Sequence, residues 1–149
     1  PDYEIALSRM LAALKPGGWI VLEEPDFSAS RGIAGTAAQL AAMQHINQAI
    51  HRMYESRGMD DALGLKLLPL LQGRGLCDLS MENDAPVSAG GSGLAKVMAM
   101  SAQQLRDKYL ATGVVSEADL QHYGECAEDP QSRAVYYATV AVAGRKKAE

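Results

Sequence analysis

The fold is decided by residues 14–24, which read LKPGGWIVLEE. Apolar residues at helical spacing precede this stretch and predict a helix over residues 2–14. Pro16 and the two glycines after it end that helix, because proline cannot continue the hydrogen-bond ladder and glycine accepts a positive φ. The unbroken apolar run at 19–22 then predicts a strand that is buried on both faces, as in a parallel sheet.

The rest of the chain alternates between helical and extended patterns. Helices are predicted over residues 36–57, 61–73, 92–112 and 116–128, and the last begins with a capping-box pattern at Ser116 and Asp119. Alternating polarity at 76–83 predicts an edge strand with one wet face, and residues 135–143 predict a buried closing strand. This order indicates an α/β fold in one compact domain over residues 1–149.

Composition restricts the classes of partner. The 149 residues include 14 basic and 18 acidic side chains, for a net charge of -4. An acidic chain gains nothing from a nucleic-acid backbone, so we expect no nucleic-acid partner. No apolar run approaches the roughly 18 residues of a membrane span, and the first residues are not those of a signal peptide. With two cysteines and no disulfide scaffold, a cytoplasmic protein without a membrane partner is expected.

The helix, the LKPGG turn, the apolar strand and the acidic cluster of residues 7–26 resemble class I (Rossmann-like) S-adenosylmethionine-dependent methyltransferases. The resemblance implies that the strands near residues 19–24, 76–83 and 135–143 are the fifth, sixth and seventh of that sheet. The seventh would lie antiparallel between the other two. It also implies that the helices at 36–73 and 92–128 are insertions that cap a pocket for a small-molecule substrate. The chain would then be the C-terminal portion of a methyltransferase domain.

The cofactor expectation follows from the same resemblance. Family members bind S-adenosylmethionine through a glycine-rich loop after the first strand and an acidic residue after the second, and neither element has room before Pro1. We therefore expect S-adenosylmethionine to be the cofactor of the parent protein, with this fragment neither binding it well nor acting alone. The glycine-rich run at 90–93 lacks the third glycine of the dinucleotide pattern, so a flexible hinge before a helix is predicted there.

Five residues are candidates for contact with the substrate, and no catalytic residue is assigned. Glu24 and Asp26 follow the strand at its carboxyl end, where the ligand crevice of a wound sheet opens and where a carboxylate would orient an acceptor or take its proton. Phe27 is the next residue and joins the candidates. His45 and Arg52 would reach the substrate from a cap helix. For all of these, solvated surface side chains are the alternative.

His122 and Cys126 are four residues apart on a predicted helix, which would allow both to face a zinc ion together with Cys77. No second close pair of ligands accompanies them, so no metal site is expected.

Two alternatives to methyl transfer remain open. The first is a non-catalytic, methyltransferase-like interaction or dimerisation module, and the second is the tail of another nucleotide-binding α/β enzyme. Under either methyltransferase-like interpretation the strand at 19–24 lacks a neighbour on one side. An unpaired apolar edge invites pairing with another chain, so self-association through residues 19–24 is expected.

Overall fold

The computed structural model describes residues 3–148. These residues form an α/β fold with six α-helices and two small antiparallel three-stranded sheets, which confirms the predicted class. They divide into two compact units. The sheet unit comprises the residues up to 26, residues 62–84 and those from 139 onward, and the helical unit comprises residues 27–61 and 85–138.

The elements are numbered in chain order. The helices are α1 (Tyr3–Ala13), α2 (Ala37–Glu55), α3 (Leu63–Gly73), α4 (Gly93–Gln104), α5 (Arg106–Ala111) and α6 (Glu117–Glu128). The strands are β1 (Trp19–Asp26), β2 (Arg31–Ala34), β3 (Cys77–Asp84), β4 (Ser88–Ala89), β5 (Arg133–Val135) and β6 (Ala138–Arg145). A short 3-10 turn, Phe27–Ala29, connects β1 to β2. The predicted start of the first helix at Asp2 lies outside the described residues.

The sheet unit contains the strands that the opening stretch predicts. Its sheet has the order β1-β6-β3, and β6 runs antiparallel to β3. The closing strand β6 therefore lies between the other two strands. Helix α3 packs close to β6, because a Cβ added to Gly64 would lie 2.9 Å from the Cβ of Val140. The core of this unit is Leu7, Ile20, Leu67, Leu71, Val140 and Val142.

The prediction that β1 is buried on both faces is wrong for the described residues. Ile20 is buried, whereas Trp19 and Val21 are 54% and 66% exposed. Alternate side chains of a strand point to opposite faces, so one face of β1 joins the core and the other is open to solvent. An apolar run has no alternation, and for that reason its residues did not show which face is covered.

The helical unit has a core of its own. Helix α2 packs on α6, and α4 packs on α6 as well. Both α2 and α6 begin at complete capping boxes: Thr36 with Gln39, and Ser116 with Asp119. The second box confirms the helix start predicted from the sequence, with Asp in place of the usual Glu or Gln. A second sheet in the order β2-β5-β4, which was not predicted, belongs to this unit.

Two predicted elements are divided in the structure. The closing strand of residues 135–143 becomes β5, in the sheet of the helical unit, and β6, in the sheet unit. Tyr136 and Tyr137 separate them, because Tyr136 is buried against Tyr123 and Tyr137 packs against the ring of Phe27. The helix of residues 92–112 is interrupted at Leu105, whose φ of -97° and ψ of 7° are not helical. Of the helices predicted as insertions, α3 belongs to the sheet unit and the others to the helical unit.

Candidate functional site

The helical unit contains a cavity of about 690 Å³, within the size range of small-molecule pockets. One wall is the segment after β1 and the first residues of β2, and the other is helix α2. The first wall contributes Phe27, Ser28, Ser30, Arg31 and Gly32. The second contributes Leu40, Gln44, Asn47, Gln48, His51 and Arg52, and Asp61 completes the lining.

Helix α2 presents a polar stripe to this cavity. The lining residues recur at positions 40, 44, 47, 48, 51 and 52, which is the spacing of one helical face. Another face of the same helix is apolar and fully buried, with Ala42, Met43, Ile46, Ala49 and Ile50 in the core. The buried face fixes the rotation of the helix, so the polar stripe is held toward the cavity by the packing of the core.

The two walls are joined by a reciprocal pair of hydrogen bonds. The Ser30 hydroxyl donates to Oδ1 of Asn47 at 2.6 Å, and Nδ2 of Asn47 donates to the carbonyl oxygen of Ser30 at 2.9 Å. Phe27 anchors the start of the segment, with its ring centroid 5.8 Å from the rings of both Tyr54 and Tyr137. These contacts hold the segment of residues 27–30 in a defined position on α2.

A histidine–aspartate pair lies in the cavity lining. Nδ1 of His51 is 3.1 Å from Oδ1 of Asp61, whose side chain is 14% exposed, against 62% for the histidine. An ionised carboxylate accepts hydrogen bonds and donates none, so Nδ1 carries the proton and a neutral His51 ring keeps Nε2 as an acceptor. This is the arrangement in which a carboxylate orients an imidazole for proton transfer.

Two arginines also line the cavity, one from each wall. Nη1 of Arg31 donates to the carbonyl oxygen of Ala29 at 2.9 Å, and Nη1 of Arg52 donates to that of Thr112 at 3.1 Å. Within residues 3–148, neither guanidinium forms an ion pair with a carboxylate. Two permanently charged side chains therefore belong to the lining, and none of their N–H donors is used by a carboxylate of the described residues.

The structure brings together two of the five candidate residues. Phe27 and Arg52 line the cavity. Glu24 and Asp26 lie on β1 in the sheet unit, and neither lines this cavity; Asp26 is buried, at 2% exposure. His45 also lies outside the lining.

His45 instead joins two helices of the unit. Its Nδ1 lies 2.8 Å from Oδ1 of Asp119 in the capping box of α6. Burial raises the pKa of the Asp119 carboxyl, but hydrogen bonds from Ser116 and His45 outweigh that effect and lower the pKa below its ordinary value. This pair stabilises the packing of α2 on α6, which is a structural role.

Sequence reasoning missed much of the cavity lining. The five candidates did not include Ser30, Asn47, His51 or Asp61. The spacing of Leu40, Gln44, Asn47, Gln48 and His51 was available in the sequence as a stripe beside the apolar face. The contribution of Asp61 had no such signal, because it depends on the path of the chain after α2.

The other titratable residues of the helical unit core are poor candidates for chemistry. Burial raises the pKa of Tyr109 and of Tyr136 to about 12, and it also raises the pKa of Tyr123 well above its ordinary value. Burial also raises the pKa of the Cys126 thiol, against a hydrogen bond from Ser132 that lowers it. These groups stay protonated at neutral pH, so none of them is an activated nucleophile.

The described residues contain no group of three or more His, Cys, Asp and Glu side chains that would hold a metal ion. His122 is half-exposed and pairs with Glu125, while Cys126 is buried in the core. The thiol of Cys126 is therefore enclosed by the core, while the ring of His122 is partly open to solvent.

The glycine-rich run before α4 forms a turn that is tightly packed at Gly90, whereas Gly91 and Gly93 have no neighbour within 4 Å of an added Cβ. A Cβ added to Gly90 would lie 2.7 Å from the carbonyl carbon of Asp129 and 2.8 Å from the carbonyl oxygen of Cys126. The backbone N–H of Gly90 donates to Ser132, and that of Gly91 donates to Ala127. These two N–H donors are therefore used within the protein.

Comparison with known proteins adds no assignment. The sequence matches no protein-family model, and no curated protein shows significant similarity to it. Between residues 3 and 148, no helix is long and apolar enough to cross a membrane. The function is therefore inferred from the sheet and the cavity themselves.

Proposed function

We propose that this chain is the C-terminal, acceptor-side portion of a class I S-adenosylmethionine-dependent methyltransferase that acts on a small molecule. The observation that carries the proposal is the strand order β1-β6-β3, with β6 antiparallel to β3 and preceded by the LKPGG turn and β1 in the chain. The resemblance implies this order for the fifth, seventh and sixth strands of the family sheet. A closing strand in the middle of a sheet is not the simplest outcome for consecutive strands, which usually lie side by side.

The uncovered surface of the sheet unit supports the same proposal. Strand β1 is an edge strand, and its open face carries Trp19 and Val21. A doubly wound sheet has helices on both faces and further strands beside its fifth strand. In the parent protein those elements would cover this edge and this face. They would also supply the cofactor site, since the glycine-rich run of residues 90–93 lacks the third glycine of the dinucleotide pattern.

The cavity supplies the acceptor side of the proposed reaction. S-adenosylmethionine supplies an electrophilic methyl group when it is bound, and the acceptor atom has to present a lone pair. His51 is placed to remove a proton from an acceptor hydroxyl or similar group, with Asp61 fixing the ring and stabilising its protonated form. The segment of residues 27–30, held by Asn47, would position the acceptor.

Calorimetric titration of S-adenosylmethionine into the full-length protein that contains this chain tests the class. Binding is expected, and transfer of a labelled methyl group to a small molecule in a metabolite extract should follow. His51→Ala should lower kcat for that transfer by about a hundredfold or more while leaving cofactor binding unchanged. His122→Ala, which changes an exposed histidine outside the cavity, is the matched control.

A non-catalytic interaction module is the second candidate, and the exposed edge of β1 is the observation that favours it. The same titration separates the two functions. If no heat of binding is observed at high cofactor concentration, the methyltransferase function is contradicted and the non-catalytic interaction module is favoured.

A further inference from the structure

We infer that the cavity of the helical unit binds small molecules that carry an oxyanion, a carboxylate or a phosphate, on an apolar or aromatic body. The inference that the ligand is anionic rests on the cavity alone. Only its identification as the methyl acceptor rests on the proposed function, which this inference deepens by naming a substrate class.

The charge of the lining is the first reason. Arg31 and Arg52 are always protonated, and neither has a carboxylate partner within residues 3–148. The one carboxylate in the lining, Asp61, is taken by His51. The chain as a whole carries a net charge of -4, so two arginines without a carboxylate partner in the lining of one cavity are a local exception to its charge.

The geometry of the two guanidiniums is the second reason. Each uses one nitrogen to bond a backbone carbonyl oxygen, that of Ala29 for Arg31 and that of Thr112 for Arg52. These bonds restrict two long side chains before any ligand arrives, which reduces the entropy lost on binding. The remaining donors form the planar fork that matches a carboxylate or a phosphate.

The rest of the lining indicates the body of the ligand. Phe27 and Leu40 supply apolar surface, and Gln44 and Gln48 supply neutral donors and acceptors along the helix. A cavity of about 690 Å³ has room for a ligand of one or two rings. A bare inorganic anion would leave the apolar surface unused.

Matched probes that differ in charge test this inference on the 149-residue chain. We would titrate 2-naphthoate, 2-naphthyl phosphate and the neutral 2-naphthamide while recording backbone amide NMR spectra. At least one of the two anions should bind about tenfold or more tightly than the amide, with shifts at residues of β2 and α2. The stronger of the two anions identifies the oxyanion class.

Arginine variants locate the contact. Arg31→Gln and Arg52→Gln should each weaken binding of the preferred anion by about tenfold and leave binding of 2-naphthamide unchanged. Arg106→Gln is the control, because this arginine is outside the cavity and pairs with Glu117. The inference is overturned if neither anion binds in the millimolar range, if the amide binds as well as the anions, or if Arg106→Gln weakens binding as much as the cavity variants.

The test does not depend on S-adenosylmethionine. If the cavity binds the anions but the full-length protein does not bind S-adenosylmethionine, this inference stands and the proposed function is contradicted. If the full-length protein binds S-adenosylmethionine but the cavity does not prefer the anions, the proposed function stands and this inference is contradicted.

Discussion

The helical unit and the sheet unit differ in the size of the apolar cluster that each one buries. The helical unit has a cluster of 15 buried residues, and Met43, Ile46 and Tyr136 in it are at most 2% exposed. The sheet unit has a buried cluster of six residues. The same elements also carry exposed apolar side chains, namely Trp19 and Val21 on β1 and Tyr3, Ile5 and Met10 on α1. A small core stabilises a fold weakly, so the sheet unit has the greater need of a partner surface.

This difference shows that apolar sequence and apolar burial are separate properties. Strand β1 begins with an apolar run, yet Trp19 and Val21 are exposed, whereas β5, only three residues long, is almost completely buried. A residue is buried when an element of the same protein covers it, and in the sheet unit α3 packs on one face of β1.

The largest effect is expected at the tight turn of the helical unit. Gly90→Ala would place a Cβ against the Asp129 and Cys126 carbonyls, which are backbone groups that cannot rotate away. We expect the free energy of unfolding to fall by about 3 kcal/mol or more, measured by urea denaturation. Gly93→Ala is the matched control, since an added Cβ there meets nothing within 4 Å. Equal stability of the two variants would show that this turn is not tightly packed.

The sequence was informative wherever local chemistry decides the structure. The start of α6 followed from Ser116 and Asp119, and the end of α1 followed from Pro16 and the glycines beyond it. The edge strand β3 followed from alternation. Each of these signals is contained in a few neighbouring residues, so no knowledge of the rest of the fold was needed.

The sequence was less informative wherever the local structure depends on residues that are distant in the chain. The sheet β2-β5-β4 is built from strands of two to four residues, too short for a periodic signal. The tight packing around Gly90 comes from the backbone of Asp129, which lies nearly forty positions later in the chain. At the cavity, Phe27 and Arg52 were among the candidates, but Asp61 reaches His51 through the turn after α2, which no local pattern encodes.

A smaller effect, and one that depends on pH, is expected at the contact of α6 with α2. Asp119→Ala removes the carboxylate that accepts from the Ser116 N–H and pairs with His45, and should cost about 1 kcal/mol at neutral pH. The folded-state pKa of Asp119 is lowered from 3.8, so its contribution is present above that value and is lost as the pH falls through the folded-state pKa. We would measure urea denaturation of the wild-type protein and of Asp119→Ala from neutral pH to below 3.8. The difference between their free energies of unfolding should shrink as the pH falls.

Glu4→Ala is the counterpart in the sheet unit. It removes an exposed ion pair with Arg74, and exposed pairs contribute about 0–1 kcal/mol. A larger loss from Glu4→Ala than from Asp119→Ala would reverse the expected order of the two units.

The smallest effect on unfolding, together with a clear effect on association, is expected at the open edge. Val21→Lys places a charge on the exposed face of β1 and should change the free energy of unfolding by no more than about 0.5 kcal/mol. The unpaired edge of an apolar strand is a template for a second copy, and a lysine in the strand opposes such pairing. Sedimentation velocity of the 149-residue chain should show self-association that Val21→Lys reduces. Val97→Lys, an exposed valine on α4, should leave it unchanged. If the wild-type chain remains monomeric at high concentration, the open edge of the sheet unit does not pair with a second copy. If Val21→Lys and Val97→Lys reduce self-association equally, the association is due to general hydrophobicity and not to this edge.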